Sequence, residues 1–260
     1  MTSVGIIPAR YGASRFEGKV MADIGGKTMI QHVWERAKKA HSLDDLIVAA
    51  DDDRIIEVVE SFGGKAIFTS KSHPSGTDRL REIVNPLDVD IVVNIQADEP
   101  LLHHSMIDNL VDAMRGDKGI VMASLMKKIL HFSDFENPNV VKVAVDKNNF
   151  ALYFSRSPIP FIRDKKKRDI LRADDNALKE ERFYKHIGLY AYTKDFLFTF
   201  ANLPQSFLEQ YEKLEQLRAL ENGYRIMMIE TGYDTVGVDT PEDLERAKTM
   251  IDRPEEQSLS

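Results

Sequence analysis

Arg10, Arg15 and Lys19 fall in the segment PARYGASRFEGK (8–19), which follows a short apolar run at 4–7. Three cations among two glycines, with little apolar between them, suit a loop that holds a polyanion. Backbone N–H groups there can cradle phosphate oxygens while the cations neutralise charge. The spacing is neither that of a dinucleotide fingerprint nor that of a Walker A loop. A plain solvated loop uses the same residue types, and that alternative stands at this point.

Three further segments carry candidate chemistry. NIQADEP (94–100) ends a run expected to be a buried strand, so Asp98 and Glu99 sit where a carboxylate is costly unless paired or bound to a metal. A strand-end Asp facing phosphates is a natural Mg²⁺ ligand, because Mg²⁺ takes one or two carboxylates plus substrate oxygens. The alternative is that both acids cap the next helix. In GVDTPEDLE (237–245), Asp239 precedes a strong helix start and is a possible second metal carboxylate. In HPSGTDR (73–79), Ser75, Gly76 and Thr77 open a helix with Arg79 in its first turn, and its free N–H groups and hydroxyl could receive a base or ribose; a simple cap serves equally.

The elements that must position these residues follow from pattern. The 260 residues are 43% hydrophobic and 30% charged, ordinary for a globular protein with a sizeable core. A net charge of −7 argues against a nucleic-acid partner, so the cationic loop fits a small anion better. The absence of cysteine excludes disulfides, thiolate metal sites and cysteine nucleophiles. No apolar run approaches the ~18 residues that span a bilayer, and no leader pattern is evident, so the expected location is cytoplasmic with no membrane partner.

Strand-like runs at 4–7, 46–50, 65–69 and 90–96 alternate with helical patterns at 28–40, 53–62 and 77–84, the mark of an α/β parallel sheet covered on both faces. After about residue 118 the pattern turns to strands at 119–126, 140–146, 150–156 and 186–193, predicting an antiparallel or mixed half with a hairpin at DKNN (146–149). Residues 163–182 read as a charged, mobile excursion whose KKKR run is a solvated face. One helix is expected over 206–222, its core face set by Leu208, Tyr211, Leu214 and Leu217, and another over 240–251.

IIPARYGASRFEGK, SGTDR, NIQADEP, NPNVVKVAVD, ALYFSRSPIPF, KHIGLYAY, LEQLRALENG and GVDTPEDLE together resemble, in order and spacing, the 3-deoxy-manno-octulosonate (Kdo) cytidylyltransferases, from residue 4 to about residue 250. The resemblance implies a Rossmann-like nucleotide-diphosphosugar transferase fold with a mixed sheet. It implies one domain over 1–252, with a smaller sugar-binding and dimerisation subdomain at about 119–200, and residues 253–260 as a frayed tail. It further implies a Mg²⁺-dependent homodimer that transfers CMP from CTP to Kdo for lipopolysaccharide synthesis. Carried over, Arg10 and Lys19, helped by Arg15, match the triphosphate-binding and catalytic positions together with Asp98. Ser75, Gly76, Arg79 and Gln96 match the cytidine side, and Asp98 and Asp239 the metal carboxylates. His186, Tyr190, Glu215 and Gln216 match the sugar site, with Arg156 and Arg163 as candidates for the sugar's carboxylate. Glu17 and Val20 stand where the family usually has prolines, Ala97 where it has glycine and Ala50 where it often has threonine. An altered sugar (the 8-amino-8-deoxy analogue or a sialic acid) is the close alternative, and an inactive CTP sensor the distant one.

Overall fold

β1 (Ser3–Ala9) runs through the middle of the molecule, buried for almost its whole length. The computed structural model describes residues 1–12, 16–73 and 76–251. A short turn of 3-10 helix at Lys19–Met21 and a small ribbon, β2 (Asp23–Ile24) with β3 (Lys27–Thr28), follow the first loop. Strand and helix then alternate: α1 (Met29–Ala37), β4 (Asp45–Ala50), α2 (Asp53–Ser61), β5 (Ala66–Phe68), α3 (Gly76–Val84), β6 (Ile91–Asn94), α4 (His104–Gly116) and β7 (Met122–Lys128). The chain continues through α5 (Phe132–Glu136), β8 (Lys142–Val145), β9 (Ala151–Ser155), α6 (Lys165–Ala173) and α7 (Asp175–Lys179). It ends through β10 (Tyr184–Thr193), α8 (Lys194–Asn202), α9 (Phe207–Glu212), α10 (Leu217–Glu221), β11 (Met227–Glu230) and α11 (Pro241–Ile251).

The sheet runs β11-β7-β10-β6-β1-β4-β5, with β8 on β10 and β9 on β8. β6, β1, β4 and β5 are parallel, as the strand–helix alternation predicts. β10 inserts antiparallel to both β6 and β7, and β11 returns parallel to β7, so the sheet is mixed. One core face gathers Ile7, Val48, Val93 and Leu110; the other gathers Ile6, Ile47, Leu80 and Phe196. Burial on both faces is why β1, β4 and β6 read as continuous apolar runs rather than alternating ones, while β5 at the sheet edge is partly exposed. Within 119–200, β7 and β10 lie on the sheet's main path, and the β8–β9 hairpin extends it as a side branch through β8 on β10. The hairpin turns at DKNN, where Asn149 has φ 61°.

Two expectations need correction. Residues 163–182 hold two helices rather than an unstructured excursion: Leu171 and Leu178 are buried with Ile129, Phe132, Phe135 and Phe183, and Asp164 and Asp174 cap α6 and α7. Two apolar anchors in the right register suffice to dock a highly charged helix, and composition alone does not reveal that; the KKKR run does lie largely exposed. The single helix over 206–222 is also wrong. It breaks at Lys213, whose φ 55° and ψ 46° are left-handed, and Tyr211 is 76% exposed instead of facing the core. The expected frayed tail, 253–260, lies outside the described residues, as do Arg15 and Ser75.

Candidate active site

The carboxyl ends of β1 and β6 adjoin, because the two strands pair in parallel with Ile6 opposite Asn94. The loops that leave them therefore meet, as open α/β sheets require of a ligand site. Lys19, from the first loop, donates to Asp98 Oδ2 at 2.6 Å, to Asp239 Oδ1 at 3.0 Å and to the Val238 carbonyl at 3.2 Å. All three ammonium protons are thereby directed at one small region. Burial works against the Lys19 charge, but the Asp98 carboxylate and then Asp239 outweigh it and hold its pKa above the usual value. The Val238 N–H donates to the Asp98 carbonyl at 2.9 Å, which fixes the backbone before Asp239 against the β6 exit. Thr240 and Asp243 cap α11 reciprocally just beyond it.

These groups border an open cavity of about 310 Å³ lined by Pro8, Arg10, Lys19, Gly76, Gln96 and Asp98, among others. Arg10 Nη2 is buried with no partner, which in a cationic wall marks a donor left for an anion. Gln96 is held by a hydrogen bond from its amide to the Gly188 carbonyl, 3.2 Å. Gly76 begins α3 at the cavity edge. Arg79 departs from the ligand-contact expectation: it is fully buried, bonded to Thr69 and, at 3.2 Å, to Asp51. Asp51 in turn accepts from the Tyr11 N–H at 3.0 Å. Arg79 thus ties α3 to the base of the first loop beneath the cavity. Asp51 opens the acidic run 51–53 before α2, whose cap is Asp52.

Of the sugar-side candidates, His186, Tyr190 and Glu215 come together on the face of β10 toward α3 and α10. His186 Nε2 lies 2.9 Å from Ser124 Oγ, and its ring packs against Phe154 and Tyr190. The Ser124 hydroxyl also faces the Leu189 carbonyl at 2.9 Å and the Ile187 carbonyl at 3.2 Å; since carbonyls only accept, its proton is assigned to them, which makes Nε2–H the donor to Oγ and leaves Nδ1 as an acceptor. Burial pulls the His186 pKa down to about 3, and the imidazole is neutral. Burial, with Glu215 and Glu99 nearby, pushes the Tyr190 phenol far up, so it stays protonated. Glu215 accepts from Thr77 Oγ1 at 3.2 Å and lies 3.5 Å from Arg218, which is anchored twice on Glu209. Gln216 is 4% exposed with its Nε2 unpartnered. Both residues follow the break at Lys213; Ser124 went unmarked because its partner His186 is distant in sequence, and Glu209 and Arg218 because helical spacing alone does not reveal their pairing across the break. Arg156 is anchored on the Glu212 and Pro138 carbonyls, and Arg163 is exposed.

Two carboxylates that converge on one ammonium also fit one divalent cation. Among the described residues no three His, Cys, Asp or Glu side chains form a metal cluster, so any metal here would draw its remaining ligands from substrate oxygens and water, as Mg²⁺ does. Asp98 and Asp239 are the residues to hold it.

Residues 4–226 match the cytidylyltransferase family model. A 3-deoxy-manno-octulosonate cytidylyltransferase from Trichlorobacter lovleyi is 51% identical over 253 residues, covering 96% of this chain and 99% of that protein. The chain belongs to this family. Another member, from Thermodesulfovibrio yellowstonii, is 50% identical over 259 residues, covering 96% of this chain and 98% of that protein. A solved CMP:2-keto-3-deoxy-manno-octonic acid synthetase complexed with CTP superposes with a TM-score of 0.88 at 42% identity, over 96% of this chain and 98% of that one. A cytidylyltransferase from Leptospira borgpetersenii, 17% identical with a TM-score of 0.64 over 100% of this chain and 91% of that one, shares the fold.

The departures from the family pattern are absorbed locally. Val20 is 2% exposed in the core and Glu17 is exposed. Ala97 is not among the residues with positive φ, so its methyl costs no backbone strain. Gly18 does need to be glycine: φ is 67°, and a Cβ would lie 3.3 Å from the Tyr11 ring.

Proposed function

We propose that this cytidylyltransferase moves CMP from CTP to the anomeric C2 hydroxyl of Kdo, releasing pyrophosphate. The observation that carries the reading is the closure of Asp98 and Asp239 on one cationic point beside a cavity whose wall offers the unpartnered Arg10 Nη2. Relatives about half identical along nearly their full length bear the name of this activity. The hydroxyl oxygen bonds to the α-phosphorus as the bond to the β-phosphate oxygen breaks, and the hydroxyl proton passes to solvent. Mg²⁺, when bound, supplies charge neutralisation and a lower pKa for the attacking hydroxyl.

The chain's own part is positioning and electrostatics. Arg10, with Arg15, offsets charge on the departing pyrophosphate. Lys19 keeps the two carboxylates on one point, and from there its charge also faces the phosphates. Ser75, Gly76 and Gln96 receive the nucleoside. Neutral His186 accepts from a sugar hydroxyl through Nδ1, the Tyr190 phenol donates, and Glu215 and Gln216 fix the ring. A neutral imidazole gives the sugar's carboxylate no charge, so Arg156 and Arg163 are the cations proposed for it.

The enzyme acts in the cytoplasm as a homodimer, and its product enters lipopolysaccharide assembly; no described helix is long and apolar enough to cross a membrane. Exposed Leu152 on the β9 edge, with Phe207 and Tyr211 on α9, supports the dimer. Incubation with CTP, Kdo and Mg²⁺ should yield one pyrophosphate per CMP-Kdo, stop with chelator and resume with added Mg²⁺. Undiminished turnover in chelator refutes the metal assignment.

A further inference from the structure

Asp239 does not sit on a regular element. It ends a strap that leaves β11 after Glu230 and reaches α11 at Pro241. Beyond Thr231, whose N–H donates to the Met126 carbonyl, the described backbone bonds of the strap reduce to Val238 N–H on the Asp98 carbonyl. Side chains must therefore set its course. The Tyr233 ring stacks on His103 at 3.6 Å, with 5° between planes, and Thr235 lies beside the Glu99 carboxyl. Between those two, Asp234 Oδ2 accepts from Lys185 Nζ at 2.6 Å and lies 3.7 Å from Lys127 Nζ.

The two lysines are cross-strand partners on β7 and β10, with side chains only 8% and 16% exposed. Like charges facing one another across a sheet repel, so this pair needs an anion. Asp134 contributes only at 3.9 Å from Lys185, and Asp234 supplies the close contact. The rigid sheet thus presents two cations, and the strap answers with one carboxylate, five residues before Asp239.

We infer that Asp234, clamped by Lys185 and Lys127, is a positioning residue that fixes the strap so that Asp239 meets Asp98 at the cation site. Asp98 is placed by the β6 exit and needs no such help; Asp239 depends on the strap at both ends. The inference rests on the reading of Asp98 and Asp239 as metal carboxylates. Supports of this kind, once removed, typically cost 10–100-fold in metal affinity.

Mn²⁺ alone, followed by water-proton relaxation on the purified protein, reads the site without turnover. Asp234→Asn should weaken Mn²⁺ binding about tenfold and raise the Mg²⁺ concentration for half-maximal transfer by the same factor, with the KM for CTP at saturating Mg²⁺ unchanged. Asp234→Glu should restore most of the affinity. Lys185→Gln, which keeps Asp234 and removes its nearest partner, should act in the same direction and serves if Asp234→Asn fails to fold. Wild-type Mn²⁺ affinity in Asp234→Asn, or in Lys185→Gln, alongside a loss in Asp239→Asn, overturns the clamp and leaves the metal reading intact. Wild-type affinity in Asp239→Asn overturns both.

Discussion

Lys19 directs its donors at Asp98, Asp239 and the Val238 carbonyl, so the first loop's lysine is tied to the acids it was expected merely to accompany. Removing one acid removes a proposed metal ligand, and the phosphate charge that the metal would offset is then left uncompensated in the reaction. Asp98→Asn should lower kcat about 10²–10³-fold, the usual loss for one such electrostatic contact, with an unchanged circular dichroism spectrum. Asp239→Asn should retain more, because Asp98 and phosphate oxygens still hold a cation. Steady-state rates at saturating Mg²⁺ check both, and near-wild-type turnover in Asp98→Asn would reduce that residue to a structural one. His186 gives a pH signature. Its folded pKa, about 3, lies below the ordinary 6.5, so the unfolded chain binds the extra proton first and stability falls as pH drops from about 6.5 toward 3. The loss at pH 5 relative to pH 8 is about 2 kcal/mol from this residue alone. His186→Asn should flatten the melting-temperature profile over that window; an unchanged slope contradicts the buried neutral imidazole. The charged and strand-end members of the site were legible from residue type because their placement is costly without a partner. Arg79 was read as a ligand contact but is buried against Asp51 and Thr69, because proximity to a helix start does not reveal which way a guanidinium points.

At the scale of elements, the break between α9 and α10 separates what periodicity could give from what it could not. Leu208, Leu214 and Leu217 do pack against the core, but a three-residue spacing is satisfied as well by two short helices as by one. Lys213 in the left-handed region carries no sequence mark, since glycine or asparagine would normally announce such a turn. A β-branched residue tolerates that conformation poorly. Lys213→Val should cost about 1–2 kcal/mol in denaturant unfolding and raise the KM for the sugar more than that for CTP, because Glu215 and Gln216 follow the break. Lys213→Gly should restore the sugar KM. Equal effects on both substrates would mean that the break does not serve the sugar site. The parallel strands β1, β4 and β6, by contrast, were legible to within about two residues, being short, apolar and buried on both faces.

Across the whole molecule, the parallel half brings Arg10, Lys19 and Asp98 together at the exits of β1 and β6, while the antiparallel insertion of β10 carries His186 and Tyr190, the residues proposed for the sugar acid. That insertion was foreseen only as a mixed half; which strand it separates from which depends on long-range pairing that no local pattern encodes. The β8–β9 hairpin ends the sheet's side branch with Leu152 64% exposed, and Phe207 and Tyr211 are 63% and 76% exposed. Light scattering at micromolar concentration should give the mass of two chains, and Leu152→Asp with Tyr211→Asp should shift it toward one; a monomeric wild type contradicts the dimer. The central claim is the pairing of one nucleotide with one sugar acid. A panel of CTP, UTP, ATP and GTP crossed with Kdo, its 8-amino-8-deoxy analogue and a sialic acid, followed by pyrophosphate release with Mg²⁺, tests it directly. CTP with Kdo should give the highest kcat/KM. Faster turnover with either other sugar acid, or no pyrophosphate from CTP and Kdo, would contradict it.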